Sequence, residues 1–188
     1  MRFLVAIAAG SVLIAGAGCS GGGESANPAT TTTVPHRGAT HAAPDLEALL
    51  PDTIDGMPLA TASTTGAVVF GGNAFGSAMT RFLAAHGKKP GDLRFANARS
   101  SPSARELELG VFQVRGLAGT TLLRAIVASS RPNAPGLTSS RATLSGKPVT
   151  RVAYPGGSTL YLYAHDGDVF YVGTQREPLA AKVVAALP

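Results

Sequence analysis

The ionisable side chains of this sequence cluster in one short run, His165-Asp166-Gly167-Asp168. A histidine beside two carboxylates can ligate a divalent metal or shuttle a proton. The same four residues also spell the tip of a hairpin, because Asp-Gly is the favoured pair for a two-residue turn in which both positions need φ > 0. Hairpin tips are polar and exposed, with no wall to exclude water, so the turn accounts for these residues without a site. His86 ends a helical stretch, where a positive group suits the helix dipole. His36 and His41 fall in a polar stretch and read as solvated side chains.

A second candidate is Gly71-Gly72-Asn73-Ala74-Phe75-Gly76-Ser77. Its glycine spacing fits a phosphate-binding loop, but Ser77 stands where the lysine must be. The glycines read better as a tight strand-to-helix turn, whose free N–H groups could still hold a small anion. There is no G-x-S-x-G, S-x-x-K, H-E-x-x-H or C-x-x-C. The sequence therefore names no catalytic residue, no metal ligand and no cofactor. An enzyme remains as the alternative, with acids and arginines brought together from distant segments. Asp92, Glu106 and Glu108 would be its carboxylates, although Glu106 and Glu108 alternate with Leu107 and Leu109 as solvent-facing strand residues do.

The elements that would position these groups are legible. Asn73 is a candidate N-cap, followed by an apolar stripe of Phe75, Ala78, Met79, Phe82 and Leu83 and stopped by Gly87 and Pro90. Strands are expected near Leu93–Arg99 and Glu106–Arg115, with a helix from about Leu117 to Ser129. Val149 to Tyr154 is extended, Thr159 to Gly173 is a hairpin, and Glu177 to Leu187 is a helix with Pro178 in its first turn. An internal echo joins two of these regions. Thr53-Ile54-Asp55-Gly56-Met57-Pro58-Leu59 matches Thr143-Leu144-Ser145-Gly146-Lys147-Pro148-Val149, with Thr, Gly and Pro at the same places. The expected class is α+β: a mostly antiparallel sheet from two related β-β-β-α-type halves, about 53–130 and 143–188, with helices packed on one face.

The Asp-Gly turn sets Tyr163 opposite Phe170 and Tyr161 opposite Val172. One face of that hairpin carries Tyr161, Tyr163, Phe170 and Val172, and the other carries Leu160, Leu162, Val169 and Tyr171. If helices cover one face only, Tyr161, Tyr163 and Phe170 form an aromatic patch open to a partner. If both faces are covered, they are core.

The start of the chain points to a compartment. Met1-Arg2 is a short positive region, Phe3 to Ala15 is apolar, and Ala17-Gly18-Cys19 is small up to the cysteine. That order reads as a signal peptide over residues 1–18. The apolar run is too short to span a bilayer, which takes about 20 residues. Here the chain resembles bacterial lipoproteins, with Gly16-Ala17-Gly18-Cys19 in the place of the lipobox and Gly16 where that class usually has a large aliphatic. The resemblance implies lipidation of Cys19 and anchorage on the extracytoplasmic side of the cell membrane. It covers only the first 20 or so residues.

Cys19 is the single cysteine, so no intrachain disulfide is available and the domain must rest on its apolar core. Residues 19–44 are rich in Gly, Thr and Pro and read as a disordered, flexible tether; a coil of that length spans roughly 25–30 Å. Residues 45–188 then form a single domain, whose charge is uneven. Residues 57–151 hold twelve Lys and Arg against Asp92, Glu106 and Glu108. A basic field favours anionic partners. Export disfavours nucleic acid and leaves an envelope protein, an anionic lipid or a wall polymer. The expectation is a non-catalytic binding module of the cell envelope.

Overall fold

The computed structural model describes residues 40–70, 72–100 and 107–188. The signal peptide, Cys19 and the tether up to residue 39 lie outside the described residues. The elements run α1 (Pro44–Glu47), β1 (Thr53–Ile54), β2 (Met57–Pro58), β3 (Ala60–Thr65), α2 (Gly66–Val69), α3 (Ala74–Ala85), β4 (Leu93–Arg99) and β5 (Glu108–Val114). They continue with α4 (Gly119–Ser130), β6 (Thr138–Leu144), β7 (Lys147–Ala153), β8 (Thr159–His165), β9 (Asp168–Gly173) and α5 (Glu177–Ala186). Strands β3 to β9 form one sheet in the order β3-β4-β5-β9-β8-β7-β6. Every pairing in it is antiparallel. The α+β class holds, and β-β-β-α occurs twice, as β3-β4-β5-α4 with α2 and α3 inserted and as β7-β8-β9-α5.

The local signals explain most of these elements. Asn73 caps α3 by accepting from the Gly76 N–H at 2.8 Å. Met79 and Leu83 on its stripe are fully buried. The β8–β9 hairpin pairs Tyr163 with Phe170, Tyr161 with Val172 and His165 with Asp168 around Asp166-Gly167, both of which have positive φ. The internal echo is the same tight hairpin built twice. β1–β2 pairs Thr53 with Pro58 and Ile54 with Met57, while β6–β7 pairs Thr143 with Pro148 and Leu144 with Lys147. Asp55-Gly56 and Ser145-Gly146 both take positive φ at their turns, the conformation that makes glycine the favoured second residue. Ile54 and Leu144 are both buried in one cluster under α5.

The helices occupy both faces of the sheet, which corrects the expectation of one. Alternate residues show it. Phe95, Phe112, Val152, Leu162, Val169 and Tyr171 pack with Met79 and Leu83 of α3 and Leu122 and Ile126 of α4. Ala96, Val111, Val149, Tyr161, Phe170 and Val172 pack with Leu46 of α1 and Leu179, Val183 and Val184 of α5. The central strands are apolar on both sides, and each side needs a cover. The core therefore has two layers of side chains with the sheet between them. At Gly110 the sheet is tight enough to exclude a side chain: a Cβ would lie 2.4 Å from the Ala96 carbonyl oxygen and 2.5 Å from Cε1 of Tyr171.

Residues 40–43, expected in the tether, join the domain. Ser63 of β3 donates its N–H to the Thr40 carbonyl at 2.8 Å and accepts from the Ala42 N–H at 3.3 Å. Its hydroxyl accepts from the Ala43 N–H at 2.7 Å. This segment covers part of the β3 edge. At the opposite edge, β6 was not foreseen from the sequence.

Candidate functional site

The aromatic face, which the sequence leaves as either core or open to a partner, is covered. Tyr161, Tyr163 and Phe170 are 4%, 7% and 1% exposed, because α5 lies over them with Leu179, Val183 and Val184. Their polar ends are engaged at the margin. The Tyr161 hydroxyl is 3.3 Å from Glu177 Oε2, and burial raises its pKa while Arg151 beside it pulls the other way. The Tyr163 hydroxyl is 3.3 Å from His165 Nδ1, and Lys147 Nζ stands 5.2 Å from its ring centre.

The histidine turn belongs to a row of polar side chains crossing one end of the sheet. Register places Thr65, Arg94, Gln113, Asp168 and His165 side by side on β3, β4, β5, β9 and β8. Arg94 pairs with Asp45 of α1 and donates to Gln113 Oε1 at 2.9 Å. Gln113 Nε2 donates to Asp168 Oδ1 at 2.9 Å. His165 Nε2 lies 3.2 Å from Asp166 Oδ2. Burial pushes the Asp168 carboxyl up, opposed by the Gln113 hydrogen bond and by His165 and Arg94. The Arg94 guanidinium holds Asp45 below the usual carboxylate range. The row ties strand ends together. No group of three or more His, Cys, Asp or Glu side chains among the described residues is arranged to hold a metal.

Of the carboxylates named for an enzyme, the two that are described, Asp92 and Glu108, lie at opposite ends of the β4–β5 pair. Asp92 accepts from the Lys89 N–H at 2.7 Å in a local turn. Glu106 lies outside the described residues. Glu108 is on a central strand, pairs with Arg99 at 3.0 Å and accepts from the Tyr171 hydroxyl at 3.2 Å. Of the glycine-rich stretch, Gly71 is also outside the described residues, and Asn73 caps the helix where a phosphate would have to sit. His86 Nδ1 is 2.8 Å from the Phe82 carbonyl oxygen one turn back, as a helix-end residue.

One open groove gathers charge that has no internal partner. It lies between the last turns of α4 and the exposed side of β6–β7 and measures about 320 Å³. Arg124 and Arg131 rim it from the helix side, while Ser139, Arg141 and Thr150 rim it from the sheet. Leu123 and Val127 line it from α4. The groove exists because α4 packs on β8 and β9 and leaves the outer strands uncovered. Register puts Arg141 beside Thr150 and Ser139 beside Val152 on the same side as α4. Arg124, Arg131 and Arg141 are exposed. Among the described residues none of the three guanidinium groups makes an ion pair, hydrogen bond or ring contact.

No family model, curated protein or solved structure matches this chain. Function therefore rests on the geometry of the described residues. Three guanidinium groups supply forked donors suited to carboxylate or phosphate oxygens, and the neighbouring hydroxyls supply further donors. The arrangement can bind an anion and orient it. Its lining residues include no His, Asp or Glu. The sequence signal that could have found it is the run of Arg124, Arg131 and Arg141 without an acid between them, which was visible only as a basic excess.

Proposed function

We propose that this protein is a non-catalytic binding module of the cell envelope, held at the membrane through an acyl chain on Cys19, and that the groove between α4 and β6–β7 receives an anionic partner. The observation that carries this reading is the set of three arginines left without acids around one groove. Elsewhere on the domain some exposed cations find acids, as Lys182 does with Asp55 at 2.7 Å and Arg99 with Glu108 at 3.0 Å, and others such as Arg81 and Lys89 make no ion pair among the described residues; what sets Arg124, Arg131 and Arg141 apart is that they share one groove. The export reading rests on the order of charge, apolar run and small residues before Cys19. No helix among the described residues is long and apolar enough to cross a membrane.

The test has two arms. Labelled fatty acid should enter the wild-type chain and fail to enter Cys19→Ser; equal incorporation in both overturns the anchor. The full Cys19→Ser chain is then titrated with polyglutamate and with phosphatidylglycerol vesicles. At least one should bind, with an affinity that falls as salt rises. Replacing Arg124, Arg131 and Arg141 by alanine removes up to three exposed pairs of about 0.2–1 kcal/mol each, so the affinity should drop roughly 3- to 150-fold. An affinity unchanged in the triple variant removes the groove from the reading.

A further inference from the structure

We infer that the partner of this groove is an extended acidic segment of another protein, added to the sheet as an eighth strand beside β6. The inference deepens the anion-binding reading above and rests on it. Three observations converge on β6.

The first is an open edge. In an antiparallel edge strand, alternate residues turn both backbone N–H and C=O away from the sheet. β6 is seven residues long and has β7 on one side only. Among the described residues, 138–144 make no backbone hydrogen bond outside the sheet ladder. The other edge of the same sheet is treated differently, since residues 40–42 bond to Ser63 of β3. β6 also contains no proline, one of the usual means of blunting an edge.

The second is charge. Arg141, the one charged residue of β6, lines the groove together with Arg124 and Arg131 across from it. A strand laid along β6 would bring every second side chain over that groove. Carboxylates there would meet the three guanidiniums. A second copy of this chain would instead bring its own Arg141 to the seam, and like charges across a strand pair destabilise it. A phospholipid head group answers the arginines but has no regular row of amides and carbonyls to meet the edge. The charge and the open backbone together select an acidic polypeptide.

The third is rigidity. The far end of β6 is pinned beneath α5, where Leu144 is buried and Ser145 Oγ donates to the Ala181 carbonyl at 2.7 Å. A preformed edge binds an extended segment without first having to order itself.

The test uses the full Cys19→Ser chain and two eight-residue peptides with glutamate at alternate positions and valine or threonine between them. One peptide is unmodified. The other carries N-methyl groups on the alternate backbone amides that would face β6, which keeps its charge and removes its donors. We expect the unmodified peptide to bind, the methylated one to bind at least about tenfold more weakly, and amide exchange within 138–144 to slow on binding. Equal binding of the two peptides, or unchanged exchange in β6, overturns strand addition while leaving the anionic groove in place. Vesicles of phosphatidylglycerol that bind through the arginines while neither peptide does would overturn the inference in favour of lipid. A dimer seen by sedimentation, with amide exchange within 138–144 already slowed in the absence of peptide, would make a second copy the occupant and equally overturn it. Failure of both peptides, of polyglutamate and of vesicles would sink the groove reading itself.

Discussion

Asp168 is a single residue whose surroundings make a pH-dependent statement about the whole fold. Its carboxyl is half-buried at the end of β9, and burial raises its pKa against the pull of Gln113, His165 and Arg94. A carboxyl whose folded pKa exceeds its unfolded value binds its proton more tightly when folded. The stability it contributes is fully present below the unfolded pKa and is lost as pH rises through the folded one. Asp45 has the opposite sign, because the Arg94 pair lowers it; its contribution is present above the unfolded pKa and is lost as pH falls through the folded one. Asp168→Asn keeps an oxygen for Gln113 and removes the titration. Urea midpoints measured across the acid range should therefore fall less, or rise more, toward neutral pH in Asp168→Asn than in the wild type. Parallel curves for the two proteins would show that folding does not raise the pKa of this carboxyl. Legibility at this scale was uneven. The Asp-Gly turn could be read from two letters, whereas the row from Arg94 to His165 joins residues on four strands and exists only once strand order is known.

At the scale of elements, the strongest signals were those with local causes. The N-cap at Asn73, the hairpin of β8–β9 and Pro178 in the first turn of α5 each depend on neighbours within a few positions, and each is where the sequence placed it. β6 was missed because Thr138-Ser139-Ser140-Arg141-Ala142-Thr143 has no apolar alternation. An edge strand with only Leu144 buried lacks the period that marks half-buried strands. That failure and the candidate site share a cause, since a strand exposed enough to lose its pattern is a strand with a free edge. The echo gives the element a direct test. Gly146 has φ +78°, with nothing within 4 Å of the position its Cβ would take. Any cost of Gly146→Ala is therefore backbone strain and not a clash, and a left-handed non-glycine residue costs roughly 1–2 kcal/mol. Ser145→Asp, which copies the Asp-Gly of the other two turns, should change stability by less than about 0.5 kcal/mol. Urea unfolding of both variants checks the pair. A neutral Gly146→Ala would mean that β6 and β7 do not need this turn to hold register.

For the molecule as a whole, the deciding fact is that the sheet is covered on both sides. The sequence showed two apolar faces on the β8–β9 hairpin and left open whether both were buried. Periodicity cannot tell a strand with one helical layer above it from a strand between two, because the answer depends on which face each helix crosses to. Here α4 and α5 end corresponding halves and cross to opposite faces, so the repeat in sequence does not become a symmetry of the fold. The aromatic side of β8 and β9 then depends on α5. Leu179, Val183, Val184 and Leu187 are each buried to 4% exposure or less. Burying four such side chains stabilises the fold by about 6–12 kcal/mol, which matches the whole net stability of an ordinary domain, about 5–15 kcal/mol. A chain ending at Arg176 should therefore lose its cooperative urea transition and bind an apolar dye, with Tyr161 and Tyr163 accessible to solvent quenchers. The triple alanine variant of Arg124, Arg131 and Arg141 acts as the control, because exposed side chains without partners should leave the transition within about 0.5 kcal/mol per site. A truncated chain that still melts cooperatively with its tyrosines shielded would show that α5 is dispensable. The face it covers would then become a rival to the arginine groove as a place for a partner.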